Sequence, residues 1–209
     1  MNAFKCYIFL VPVPLTVLSF YLWRTMTENL CFSVFAIVLP MAYGYIMPGI
    51  ATGILKKWRF QGRFTFAGIY FHHGFLYASK LSLILFVCSY GMAPPEPLGH
   101  LKQFSIMATA SMAFAFIAWI TDIYLLKAEM VVINSPAAKS GKSPEEVTFK
   151  YAPLSFFFIG LTYSADVLLA YEKFLVQNKT DPFTFIWVFA VGFILMFALP
   201  SLAYRINDH

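Results

Sequence analysis

Leu30 to Leu55 reads LCFSVFAIVLPMAYGYIMPGIATGIL and holds no Asp, Glu, Lys or Arg. A helix needs about 20 mostly apolar residues to cross about 30 Å of hydrocarbon, and this stretch exceeds that length. Working outward, five more segments meet the same requirement, so the candidate spans cover residues 4–23, 30–55, 64–92, 102–126, 151–171 and 183–204. The fold they imply is all-α, a polytopic membrane helix bundle of six spans in one domain, 1–209, with the lipid bilayer as its first partner. Composition agrees, since 60% of the 209 residues are apolar and 12% charged, where a soluble domain carries roughly 25% charge.

The formal charge of +5 does not mark a nucleic-acid binder, because that needs basic residues clustered on a solvated face with aromatic stacking groups. Here they sit in short groups between apolar runs. With the N-terminus inside, the inner side receives Lys5, Lys56, Lys57, Arg59, Arg63, Lys127, Lys139, Lys142, Lys150 and Arg205; the outer side receives only Arg24, Lys102, Lys173 and Lys179. The positive-inside rule then places both termini in the cytoplasm, with a cell membrane, inner or plasma, as the first expectation and an organelle membrane left open. Met1 to Tyr21 resembles a signal peptide, but Trp23-Arg24 stands where a small-residue cleavage site belongs, so this segment is expected as a retained first span. Asn178-Lys179-Thr180 falls outside and would be a glycosylation acceptor in a eukaryotic source, the alternative being a chance match to so short a pattern. Cys6, Cys31 and Cys88 lie in or beside apolar runs without paired spacing, which points to packing and away from a metal site or disulfide framework.

An ionisable group in hydrocarbon costs about 2.5–3.5 kcal/mol on insertion scales, so such residues mark partners or cavities. Three places stand out: Lys80 with His72 and His73, Asp122, and Asp166. Counted as helix from Arg63, Lys80 lies about 25 Å in; Asp166 lies about 24 Å from Lys150. This depth match predicts a Lys80–Asp166 salt bridge or shared polar site. Asp122, about 8 Å from the inner surface, comes nearer the histidines, about 14–15 Å deep, and a contact with one of them is expected to be looser. Tyr70 or Ile69, His73, Tyr77, Lys80 and Ile84 share one helix face by spacing; His72 points about 100° away. The plain alternative is a buried pair that only sets helix register.

Pro40, Gly44, Pro48 and Gly49 cluster in the second span with Tyr43 and Tyr45. Prolines kink helices, and broken helices line substrate sites in transporters, although kinks also serve packing alone. Gly49 and Gly53 offer a close helix approach, as do Ala108, Ser111, Ala115 and Ala118 in the fourth span. Phe156 to Phe158 is lipid-facing or packing bulk, or a wall for a quinone, carotenoid or lipid. Ser143-Pro144-Glu145-Glu146 is a capping box and Asp181-Pro182 a second helix start; Pro153 is expected to kink the fifth span. Gly141-Lys142-Ser143 ends like a phosphate-binding loop, but Pro136 replaces its first Gly and no strand is expected before it.

The histidines of one span, with His100 in a turn and His209 at the end, do not suit a two-haem cytochrome, and no hydrolase or metalloprotease pattern occurs. No catalytic residue, metal or cofactor is assigned. The leading expectation is transport of a small solute or protons through an interior built on Lys80, Asp166, His73 and Tyr77. The rivals are an accessory subunit of a larger membrane assembly, with other membrane subunits or further copies of the chain as partners, and a lipid- or isoprenoid-modifying enzyme using His72, His73 and Asp122.

Overall fold

The computed structural model describes residues 3–62, 65–90 and 96–207; Arg63, His209 and residues 91–95 of the expected Pro-rich turn lie outside them. The chain begins with α1 (Ala3–Leu10) and α2 (Pro12–Thr27). The expected first span is bent by 52° between these two helices. Pro12 explains the break, because it has no N–H to return to Ile8 O; the His72 ring nitrogen Nε2 meets that carbonyl instead at 2.8 Å.

Helix α3 (Leu30–Gly49) starts at Asn29, whose side chain accepts from Phe32 N, and runs on as a π-helical turn over Ile50–Ile54. Pro40 lies inside it and frees Ala36 O. The Tyr163 hydroxyl donates to that oxygen across the bundle at 2.7 Å. Gly44 is a seam between helices: a Cβ there would lie 2.9 Å from Tyr77 Cβ and 3.1 Å from Gly74 Cα. Gly49, by contrast, faces open space and Gly53 meets only Ala67 at 3.8 Å, so the close approach expected at Gly49 and Gly53 occurs one to two turns earlier.

The expected third span, 64–92, needs the largest correction. Residues before His73 form β1 (Trp58–Phe60), β2 (Thr65–Phe66) and β3 (Ile69–Tyr70), and the helix, α4, covers only His73–Ser89. Ala67 and Gly68 make the two-residue loop between β2 and β3, both with positive φ, 49° and 82°. That geometry closes a tight hairpin, which a hydropathy reading cannot distinguish from continuing helix. Helix α5 (His100–Lys127) follows, starting at the His100 that was expected in a turn. The 127–150 loop then holds β4 (Val131–Ile133), α6 (Pro136–Lys139) and α7 (Pro144–Phe149). Strand β4 pairs antiparallel with β1, Arg59 opposite Val132. A strand therefore does precede Pro136, but a helix occupies the place of a phosphate loop. The capping box at Ser143 and Glu146 is present.

Helix α8 (Ala152–Tyr171) ends in a π-helical turn over Glu172–Val176, and α9 spans Pro182–Asn207. Pro153 sits in the first turn of α8, where a helix needs no N–H, so the expected kink is absent. Thr184 N–H donates to Asp181 Oδ1 at 3.0 Å and caps α9.

Among the described residues, four helical segments are long and apolar enough to cross a membrane: Leu30–Ile54, His100–Lys127, Ala152–Val176 and Pro182–Leu202; the bent α1–α2 pair passes when taken together, and α4 is shorter. Their outward faces expose Val17, Val87, Phe104, Phe116, Ile186 and Ile194, an apolar surface that suits contact with hydrocarbon. The protein is a membrane-embedded helix bundle. Its main core gathers Trp23, Phe35, Leu39, Leu81, Phe114, Tyr163 and Phe174. A second, smaller core of Ile8, Phe60, Ile69, Tyr70, Leu76, Leu125 and Met130 lies under the strands at the end rich in basic residues. The expected small-residue face of α5 is interior: Gly160 of α8 presses on Ser111, where a Cβ would come within 2.8 Å of Ser111 Cα.

Candidate functional site

The start of α4 at His73 sets the position of Lys80. Seven residues of helix carry it about 10 Å from that start. Asp122 lies five residues before the end of α5, about 8 Å in, so the two residues meet at one level. Lys80 Nζ donates to Thr121 Oγ1 at 3.0 Å, while the Thr121 hydroxyl donates to Ile117 O at 2.7 Å. Thr121 thus turns its lone pairs toward the ammonium group. Asp122 lies within Coulombic reach of Lys80 and of Tyr77, and its Oδ2 accepts from the Tyr151 hydroxyl at 3.0 Å.

Tyr151 is delivered by α7. The Trp119 indole N–H donates to Thr148 Oγ1 at 3.0 Å, and Lys127 pairs with Glu145, so α7 is fastened to the end of α5 at two points. The Lys127 ammonium holds the Glu145 carboxyl below its usual value. Tyr151 N–H then donates to Thr148 O at 3.2 Å, which turns the chain from α7 into α8 with the Tyr151 ring beside Asp122. Nothing in local sequence pairs Tyr151 or Thr121 with the polar site; only the packing of α5 on α7 and α4 does.

Lys80 and Asp166 form no ion pair among the described residues, which corrects the expected bridge. Asp166 lies fourteen residues into α8, about 21 Å from its start. It is 1% exposed, neither carboxylate oxygen has a hydrogen-bond partner, and it packs on α9, where a Cβ on Gly192 would come within 3.0 Å of its Cγ. Nor does Asp122 meet a histidine. His73 and Tyr77 do share the Lys80 face, with ring centroids 5.5 Å apart. His73 is buried against Phe60 and Trp58, and neither ring nitrogen has a hydrogen-bond partner. His72 stacks on Tyr70 and donates to Ile8 O at 2.8 Å, away from Lys80. Ile69 and Tyr70 belong to the hairpin and not to the helix face.

The Pro40–Gly49 segment lies beside this site through the Tyr43–Tyr77 ring contact at 5.6 Å. Pro48 O accepts from Thr52 Oγ1 at 2.8 Å. Cys6, Cys31 and Cys88 are free thiols, and among the described residues no three metal-binding side chains converge. The chain matches no known protein family, no curated protein and no solved structure.

Proposed function

We propose that the chain is a six-span membrane protein that moves a small solute or protons through the bundle, with both termini on the basic, cytoplasmic side of a cell membrane. The observation that carries this reading is the set of groups between α4 and α5: Lys80 on Thr121, and Asp122 on Tyr151. Opposite charges held within a helix bundle by hydroxyls, rather than in a closed salt bridge, leave donors and acceptors for a passing solute. Asp166, deeper in the bundle and without a partner, is the second station. A carboxyl buried without a partner holds a proton or meets a cation. Counting the bent α1–α2 pair and α4 as crossings supplies the fifth and sixth spans.

The protein reconstituted in liposomes is loaded with a pH-sensitive dye and, separately, with candidate ions and small solutes. Lys80→Met is expected to abolish the flux of the wild type, and Asp166→Asn to abolish its proton component. Unchanged flux in both variants, at equal protein insertion, refutes the assignment.

A further inference from the structure

We infer a second site, a binding cavity for the phosphate of an anionic phospholipid at the basic end of the molecule. A cavity of about 920 Å³ opens where the end of α3 meets the strands, with Thr52, Lys56, Arg59, Gln61, Thr65 and Asn134 in its lining. Its walls are fastened to one another. The Thr52 hydroxyl lies 2.6 Å from Ala67 O in the hairpin loop, Phe60 N–H donates to Gly68 O at 2.8 Å, and Asn134 Nδ2 donates to Lys56 O at 2.9 Å. Gly68 is required at this junction: its φ is +82°, and a Cβ there would come within 3.0 Å of Thr52 Cβ. The cavity is a braced cup made from four chain segments.

Its chemistry is cationic and hydrogen-bonding. None of the residues lining it is acidic, and among the described residues neither Lys56 nor Arg59 has an ion-pair partner. A guanidinium fork, an ammonium group, a hydroxyl and amide groups around one concave surface match the oxygens of a phosphate. The surroundings select a lipid. Ile54 is 73% exposed and Phe66 78% exposed beside the cup, and the apolar span of α3 ends at Ile54, two residues before Lys56. A water-soluble phosphate ester has no use for such apolar neighbours, whereas a phospholipid places acyl chains against them and its headgroup at the level of the basic residues.

The test uses the full chain in neutral detergent, titrated with short-chain phosphatidylglycerol, short-chain phosphatidylcholine and glycerol phosphate. Binding is read by tryptophan fluorescence, since Trp58 lines the cavity, and by calorimetry. Phosphatidylglycerol is expected to bind at least about tenfold tighter than either other probe. Lys56→Gln with Arg59→Gln is expected to weaken it about 30-fold with no change in Tm, and Lys102→Gln with Lys173→Gln, the same charge change at the opposite end, is expected to leave it unaltered. Equal binding of the two lipids, wild-type binding by the Lys56/Arg59 variant, or an equal loss in the Lys102/Lys173 variant overturns the site. Glycerol phosphate binding as tightly as the lipid overturns the lipid assignment and identifies a soluble phosphate ester as the ligand.

Discussion

Tyr163→Phe tests how the bundle tolerates a proline in the middle of α3. Pro40 gives no N–H to Ala36 O, and the Tyr163 hydroxyl, fully buried, supplies the missing donor at 2.7 Å. The Ser82 side chain accepts from the Trp23 indole N–H at 2.9 Å in the same core. Two polar links therefore cross the apolar core, one from α2 to α4 and one from α8 to α3. Removing the Tyr163 oxygen leaves a backbone acceptor unsatisfied away from water, which costs about 1–3 kcal/mol in proteins generally. Interhelical hydrogen bonds in membrane bundles average only about 0.6 kcal/mol, so the expected loss is about 1–2 kcal/mol. Phe keeps the ring, so little cavity cost is added. Unfolding by SDS in mixed micelles, followed by tryptophan fluorescence, measures it.

The decisive form of that experiment is a double-mutant cycle with Pro40→Ala. Alanine restores the N–H of residue 40, and the helix itself then satisfies Ala36 O. Tyr163→Phe should cost about 1 kcal/mol less in that background than in the wild type. A coupling below about 0.3 kcal/mol, the ordinary error of additivity, would refute the claim that the tyrosine serves the carbonyl that the proline frees.

Two other outcomes follow from local geometry. Gly74→Ala should destabilise the bundle by about 1–3 kcal/mol in the same SDS titration, because its Cβ would overlap the Tyr45 ring and come within 2.8 Å of Met41 O; Gly49→Ala, which meets nothing within 4 Å at φ −60°, should stabilise by about 0.5–1 kcal/mol. The Asp181 carboxyl is held below its usual value by the Thr184 hydroxyl and N–H, so its cap on α9 is complete above the unfolded carboxylate value and is lost as pH falls through the lower folded value; the Thr184 amide resonance should titrate with a midpoint below that of a free carboxylate, and a midpoint at or above it contradicts the cap.

Apolar run length located α3, α5, α8 and α9 to within a few residues because helix is the backbone state that satisfies its own polar groups in hydrocarbon. The capping motifs at Ser143 and Asp181 were equally legible, since each donor and acceptor lies within three residues of its partner. Residues 58–70 were not. The Phe, Ile and Tyr of β2 and β3 raise hydropathy as a span would, and run length does not separate their local hairpin, Thr65 opposite Tyr70, from the first turns of a helix; β1, in the expected basic loop, pairs with β4 far along the chain. Pro40 did signal that Ala36 O needs an outside donor, yet the chain offers 12 tyrosines, and only the packing of α8 on α3 selects Tyr163.

The partner of Lys80 depended on one helix boundary. Counted from Arg63, the lysine stood about 25 Å deep and matched Asp166; counted from His73, where α4 begins, it stands about 10 Å deep and matches Asp122. The hairpin consumes the intervening residues without advancing the chain along the bundle as a helix would. The consequence is chemical as well as geometric. A Lys80–Asp166 bridge would have cancelled both charges in one closed pair, which suits a structural lock. Separated, Lys80 shares its level with Asp122, Thr121 and Tyr151, while Asp166 stays against Gly192 with both oxygens unpartnered. Packing alone gives no reason to keep a carboxyl there, because Asn has the same shape without the cost of a buried ion. Proton flux in Asp166→Asn therefore separates a carboxyl that takes up protons from one that merely fills space: loss of flux in a stably folded variant fits only the first.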